Sequence, residues 1–74
     1  MDYHLWIESN PEVLVGKPVI RGTRISVELI LRKLSESMPM DELQQAYPQV
    51  PREGILAALA YSAAILATEE ILVG

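Results

Sequence analysis

The sequence predicts a mainly α domain with a small β N-terminal arm, a short antiparallel ribbon followed by a three-helix bundle. Three observations predict it. The first 25 residues are turn-rich, with short β-branched runs set between Asn-Pro, Gly-Lys-Pro and Gly-Thr breaks. From Ser26 onward the apolar residues recur at helical spacing. Pro39, Pro48 and Pro51 then divide the rest of the chain into helical segments. Residues 1–74 read as a single domain: a β-rich arm over 1–25, the bundle over 26–70 and a tail over 71–74.

Within the arm, His4–Glu8 reads as a strand and Ser9-Asn10-Pro11-Glu12 as a turn or a one-turn helix start. Val13–Val15 lead to a second turn at Gly16-Lys17-Pro18, and Val19-Ile20 form another β-branched run, ended by Arg21-Gly22-Thr23-Arg24. The economical arrangement pairs Leu5–Ile7 with Val19–Ile20, a ribbon too small to stand without helices or another chain against it.

The first helix starts at Ser26, a natural N-cap, and its core stripe is Val27, Ile30, Leu31, Leu34 and Met38. Glu28, Arg32, Lys33 and Glu36 make its polar side, with Glu28 and Arg32 at the favourable i,i+4 spacing. A short second helix runs from about Met40 to Tyr47, its Asp41 and Glu42 placed to suit the helix dipole. The third runs from about Arg52 to Ala67 or a little beyond, with Ile55, Leu59 and Leu66 on one line and Leu56, Ala60, Ala63 and Ala67 beside it. Its apolar residues cover more than one face, and a domain this small cannot cover them all.

Composition leads the same way. A chain of 74 residues has one small core, and buries roughly 60% of the surface its unfolded form exposes. It has no Cys and no Phe, and half of its residues are hydrophobic, so the core must be aliphatic and disulfides are excluded. Oligomerisation is the reinforcement left. The net charge is −4, but it is unevenly spread. Residues 1–34 carry Lys17, Arg21, Arg24, Arg32 and Lys33 against Asp2, Glu8, Glu12 and Glu28, whereas residues 35–74 carry only Arg52 against Glu36, Asp41, Glu42, Glu53, Glu69 and Glu70. No secretory signal or bilayer-length apolar run is visible, so a soluble cytoplasmic chain with no membrane partner is expected.

Catalytic chemistry has little to work with. His4 is the sole imidazole, reading as a strand residue, and Asp41 and Glu42 are neighbours whose side chains diverge on a helix. No phosphate loop or metal-ligand motif occurs. A non-enzyme without cofactor or metal is expected. The informative stretch is Gly16 to Val27. Arg21 and Arg24 flank a Gly-Thr turn, from which both guanidiniums could reach one anionic object. Alternatively, the turn is structural, its arginines satisfying helix C-terminal carbonyls or the acidic residues of the second and third helices.

Asn10-Pro11, the run Gly16-Lys17-Pro18-Val19-Ile20-Arg21-Gly22-Thr23-Arg24-Ile25-x-Val27, then Tyr47-Pro48 and Ile55-x-x-Ala58-Leu59-x-Tyr61 together resemble the domain-of-unknown-function 433 family. The resemblance covers nearly the whole chain. It implies a helix-turn-helix-like bundle behind a β-rich arm, and an antitoxin of VapB type, made beside a PIN-like ribonuclease toxin that it binds and silences. It further implies promoter DNA binding as a dimer. The sequence departs from the family pattern at Ser37, where Gly is usual, at Pro39 and Pro51, where Ser or Thr caps are usual, and at Gly54, where a polar residue is common.

Two functional expectations follow. In the first, the protein is an antitoxin and double-stranded DNA-binding regulator. The third helix is a poor base reader, offering Arg52 and Glu53 and then alanines and leucines. Nucleic-acid or anion contact therefore falls to Lys17, Arg21, Thr23, Arg24, Arg32 and Lys33, mostly on phosphate. In the second, it is a dimeric protein-interaction module with no DNA binding, whose acidic half docks on a basic partner. Either way the expected interface of the homodimer, higher homo-oligomer or toxin complex is Ile55, Leu56, Leu59, Ala63, Leu66, Ile71 and Leu72. The tail Thr68–Gly74 could add to it as a strand or prolong the helix.

Overall fold

A computed structural model describes the backbone of residues 1–73 and, within it, the side chains of residues 1–68. The elements are β1 (Ile7–Glu8), β2 (Val19–Ile20), α1 (Val27–Ser35), α2 (Met40–Ala46) and α3 (Arg52–Val73), with single 3-10 turns at Tyr3–Leu5 and Leu14–Gly16. This is the mainly helical architecture with an N-terminal ribbon that the sequence predicts.

The ribbon is antiparallel and pairs Ile7 with Ile20 and Glu8 with Val19. It starts two residues later than expected, because Asp2 caps a 3-10 turn instead: its Oδ1 accepts from the backbone N–H of His4 at 3.1 Å. His4 and Leu5 are thus outside the strand, and His4 is exposed on the turn. On its other edge β2 bridges to Ser26, with the Ile20 N–H donating to the Ile25 carbonyl and the Val27 N–H to the Pro18 carbonyl. β2 is therefore the middle of a three-segment sheet-like patch, which is why Val19 and Ile20 are both buried.

Ser26 caps α1 as expected, its Oγ accepting from the Leu29 N–H at 3.0 Å. The helix ends at Ser35 rather than carrying Met38. Ser37 adopts a left-handed conformation, φ 69°. Its N–H donates to Leu34 and that of Met38 to Lys33, closing the helix in a Schellman arrangement. Met38 still packs on the core, as the residue after such a cap commonly does. α2 is entered from Pro39 without a side-chain cap.

The core is aliphatic: Ile30, Leu43, Ile55, Val19 and Val50 are its largest fully buried side chains. Tyr3 meets Tyr61 edge-on at 5.4 Å, tying the first turn to α3. Gly54 is buried where α3 begins. A Cβ there would lie 3.4 Å from both Pro51 Cδ and Val50 Cγ1, at the near edge of van der Waals contact with its own entry loop.

Two expectations about α3 are corrected. Ile55 is 0% exposed and belongs to the core, not to an interface; it lies with Ala57 and Ala58 on the face of the first turns that the rest of the domain covers. The helix also continues to Val73, so residues 71–73 are helical and not an extended tail available as an added strand. The side chains of Ile71 and Leu72 lie outside the described residues.

Candidate interaction surfaces

The Arg21-Gly22-Thr23-Arg24 turn separates its two arginines. Arg21 reaches back across the ribbon: its Nη2 donates to the His4 carbonyl at 2.8 Å and its Nη1 lies 3.2 Å from Glu8 Oε2. The other Glu8 oxygen accepts from the Gly22 N–H at 3.0 Å, which the positive φ of that glycine, 79°, makes possible. Thr23 Oγ1 donates to the Ile20 carbonyl and accepts from the Ile25 N–H, closing the turn locally. Arg21 and Thr23 thus take the structural alternative, but Arg21 finds its partners in the N-terminal arm and not at helix C-termini or on the acidic residues of the second and third helices. A 3-10 turn carbonyl and an acidic residue of the ribbon hold the guanidinium.

Arg24 points elsewhere. It lines a concavity of about 450 Å³ together with Lys17, Arg32, Glu28 and the apolar Leu14, Val15 and Leu29. Glu28 is shared within it, with Lys17 Nζ at 3.1 Å from one carboxylate oxygen and Arg32 on the other. Those two cations, the Lys17 hydrogen bond first, hold the Glu28 carboxyl below its ordinary pKa range. Lys33 stands off on the α1 surface, 3.8 Å from Glu36. Four of the five cations of the basic segment thus face carboxylates, and among the described residues Arg24 makes no ion pair.

The wall beside Lys17 is a feature that sequence reading missed. Leu14 and Val15 take φ values of 49° and 57°, followed by Gly16 at 81°. A β-branched residue in this region is strained, and Val15 is nevertheless 94% exposed. Nothing in the local residue types announces it, since Val13–Val15 read only as the approach to the Gly16-Lys17-Pro18 turn.

The third surface is apolar. α3 packs against the first turn, β1, α1 and α2, yet Leu59 is 41% exposed, Ile65 46% and Leu66 57%. Between α1 and this part of α3 opens a groove of about 390 Å³, lined by Pro18, Val27, Leu31, Tyr61, Ile65 and Leu66, with Glu28 and Ser62 among its walls. On the outer side of the helix Leu56, Leu59, Ala63 and Leu66 are exposed as a second stripe. So the expected interface residues Leu56, Leu59, Ala63 and Leu66 are at the surface together. Ile65 joins them unforeseen, on the groove side. Its signal was its place one turn beyond Tyr61.

No group of potential metal ligands is assembled among the described residues, and none of their helices is long and apolar enough to cross a membrane. His4, the sole imidazole, bonds through Nδ1 to Asp2 at 3.1 Å on the open surface.

A three-helix body, an N-terminal ribbon and the Arg-Gly-Thr-Arg turn that closes against the ribbon make up the described fold. The chain belongs to the family described as "Protein of unknown function (DUF433)", which matches residues 7–62. The matched span includes the ribbon, the Leu14–Gly16 and Arg21–Arg24 turns, α1, α2 and the packed part of α3. It is also similar to the uncharacterized protein y4eO of Sinorhizobium fredii (strain NBRC 101917 / NGR234), with 31% identity over 58 residues. That alignment covers 78% of this chain and 26% of the relative, so the chain spans about a quarter of the protein it matches. No solved structure matches it.

Proposed function

We propose that the chain is a protein-interaction module of antitoxin type, which assembles as a homodimer or higher homo-oligomer and masks a PIN-like ribonuclease toxin. The antitoxin character comes from the family resemblance, and the choice of protein over DNA as main partner rests on one observation. The basic segment spends most of its charge on its own carboxylates, while α3 leaves the Tyr61–Ile65–Leu66 groove open against α1. Burying apolar surface is the general driving force for protein association. A ribonuclease surface is basic because it must attract RNA, and the exposed Asp41, Glu42 and Glu53 suit such a partner.

Co-expression with the neighbouring gene product tests this. The two proteins should co-purify, and added chain should suppress ribonuclease activity. Ile65→Glu, which places a charge in the groove, should restore the activity. Failure to form a complex at micromolar concentration, with both proteins folded, overturns the reading.

A second reading, promoter DNA contact, is favoured by Arg24, whose guanidinium shares the concavity with Lys17 and Arg32. Contact would be to phosphate and would weaken steeply with salt. A gel shift of the upstream DNA at two salt concentrations, with Arg24→Glu as control, decides it. No shift at low salt removes DNA from the account.

A further inference from the structure

We propose that the outer stripe of α3 pairs with the same stripe of a second copy of this chain, antiparallel, about a twofold axis level with Tyr61. The proposal rests on the interaction reading above and names the occupant of one of its surfaces.

The spacing carries it. Arg52, Leu56, Leu59, Ala63 and Leu66 are separated alternately by four and three residues, the seam of a helix pair. In sequence the next position of the repeat is Glu70, and the helical backbone extends past it to Val73. The described members of the stripe are exposed, Leu56 at 37% and Leu66 at 57% being the first and last apolar ones. This face is separate from the groove toward α1, apart from Leu66 at their shared border.

The stripe is also symmetric. Leu56 and Leu66 are equidistant from position 61, and so are Leu59 and Ala63, and Arg52 and Glu70. The alternating four-three spacing produces this symmetry, and it lets an antiparallel second copy meet the stripe in register, each copy receiving what it presents. Antiparallel pairing sets Leu56 against the second copy's Leu66. Near the axis Leu59 meets the second copy's Ala63, large against small, so the helices can approach closely. Arg52 then falls at the level of the second copy's Glu70, opposite charges at the two ends of a seam roughly 27 Å long. Parallel pairing would instead put Arg52 beside Arg52 and align the helix dipoles unfavourably.

Charge narrows the occupant further. No charged residue occurs from Gly54 to Thr68. A basic or acidic partner surface would lose its hydration against this face and gain no counter-charge. A second copy presents the same uncharged residues.

The test uses the full-length chain. Sedimentation across a concentration series should show a dimer, and Leu59→Glu and Ala63→Glu should each give a monomer with an unchanged circular dichroism spectrum. Arg52→Glu should weaken the dimer about tenfold, the factor expected for losing two exposed charge pairs, one at each end of the seam, and the double variant Arg52→Glu, Glu70→Arg should restore it. Because the chain has no cysteine, Leu59→Cys and Ala63→Cys give a clean orientation test. On oxidation a mixture should cross-link between the two variants, with little cross-linking of either alone. Self-cross-linking of each variant, a dimer indifferent to Leu59→Glu and Ala63→Glu, or a monomer throughout overturns the proposal. A monomer that still captures the neighbouring gene product does so while leaving the toxin-masking part of the reading above in place; a dimer that captures none does the reverse.

Discussion

The Arg21 turn and the outer side of α3 both lie at the surface, but the chain completes only one of them. At the turn, Arg21 is half exposed and still has a carboxylate and backbone carbonyls as partners within the same chain. Along α3, Leu59 and Leu66 are exposed to a similar degree and have no such recourse. The difference is one of chemistry. A charged group can be satisfied by one well-placed neighbour and by water, whereas apolar area is relieved only by being covered. A small chain can therefore pair most of the cations of its own basic arm but cannot cover a 22-residue helix.

The sharpest way to break this comparison is within α3 itself. Ile55 and Leu59 lie one turn apart, one fully buried and the other exposed. Ile55→Ala should cost about 2–5 kcal/mol, the range for deleting a buried aliphatic side chain, enough to unfold much of a domain this small. Leu59→Ala should leave the thermal midpoint of the dilute chain almost unchanged and act only on association. Chemical denaturation of both variants at low concentration checks the pair. Equal losses would mean that the two faces of α3 are not distinct.

Arg21 and Arg24 sharpen the other side. Arg21→Ala removes the contacts to His4, Ile7 and Glu8. Discounted for an exposed side chain, that loss should be about 1 kcal/mol. Arg24→Ala should fall within about 0.5 kcal/mol of neutral, as for a surface residue without partners. The same melting experiment separates them. If Arg24 proves the more costly, the structural and the available arginine have been exchanged.

The sequence made this division only partly legible. α1 was readable because Ser26 and the Val27–Leu34 stripe are local signals, and α2 and the start of α3 because prolines bound them. The end of α3 was not, since no breaker follows Thr68 and the acidic pair there reads equally as an exit or as another turn. The split between Ile55 and Leu59 depends on where the body of the domain ends, which spacing along one helix cannot show. The roles of Arg21 and Thr23 depend on the register of β1 against β2, and β1 itself was displaced by the Asp2 cap. Departures from the family pattern were more informative than they looked. Ser37 takes the left-handed position that Gly usually fills, and Gly54 is buried where α3 begins.

The strained wall gives a smaller effect with the opposite sign. Val15 is exposed at φ 57°, where an L-residue is disfavoured by about 1–2 kcal/mol. Glycine recovers that and loses part of it to a freer unfolded chain, leaving a gain of about 0.5 kcal/mol for Val15→Gly. A raised midpoint would confirm that the conformation is held against its own preference. A lowered one would mean that the Val15 side chain stabilises the turn in spite of its exposure.

The smallest effect concerns pH, and it probes how self-sufficient the charged surface is. Lys17 and Arg32 lower the Glu28 pKa in the folded chain. The folded form therefore holds that proton less tightly than the unfolded form does, and stability rises with pH across the interval between the two values. The contribution is fully present above the unfolded glutamate range and disappears as pH falls through the lowered folded value. Glu28→Gln should flatten that part of the acid limb of a stability-against-pH curve and leave the neutral region parallel to the parent. Salt should flatten the parent curve in the same place, because all three groups are solvent-exposed. If Glu28→Gln leaves the acid limb unchanged even at low salt, Lys17 and Arg32 are not engaged by Glu28 in solution. They would then join Arg24 as available cations, and the comparison would tip toward the DNA reading.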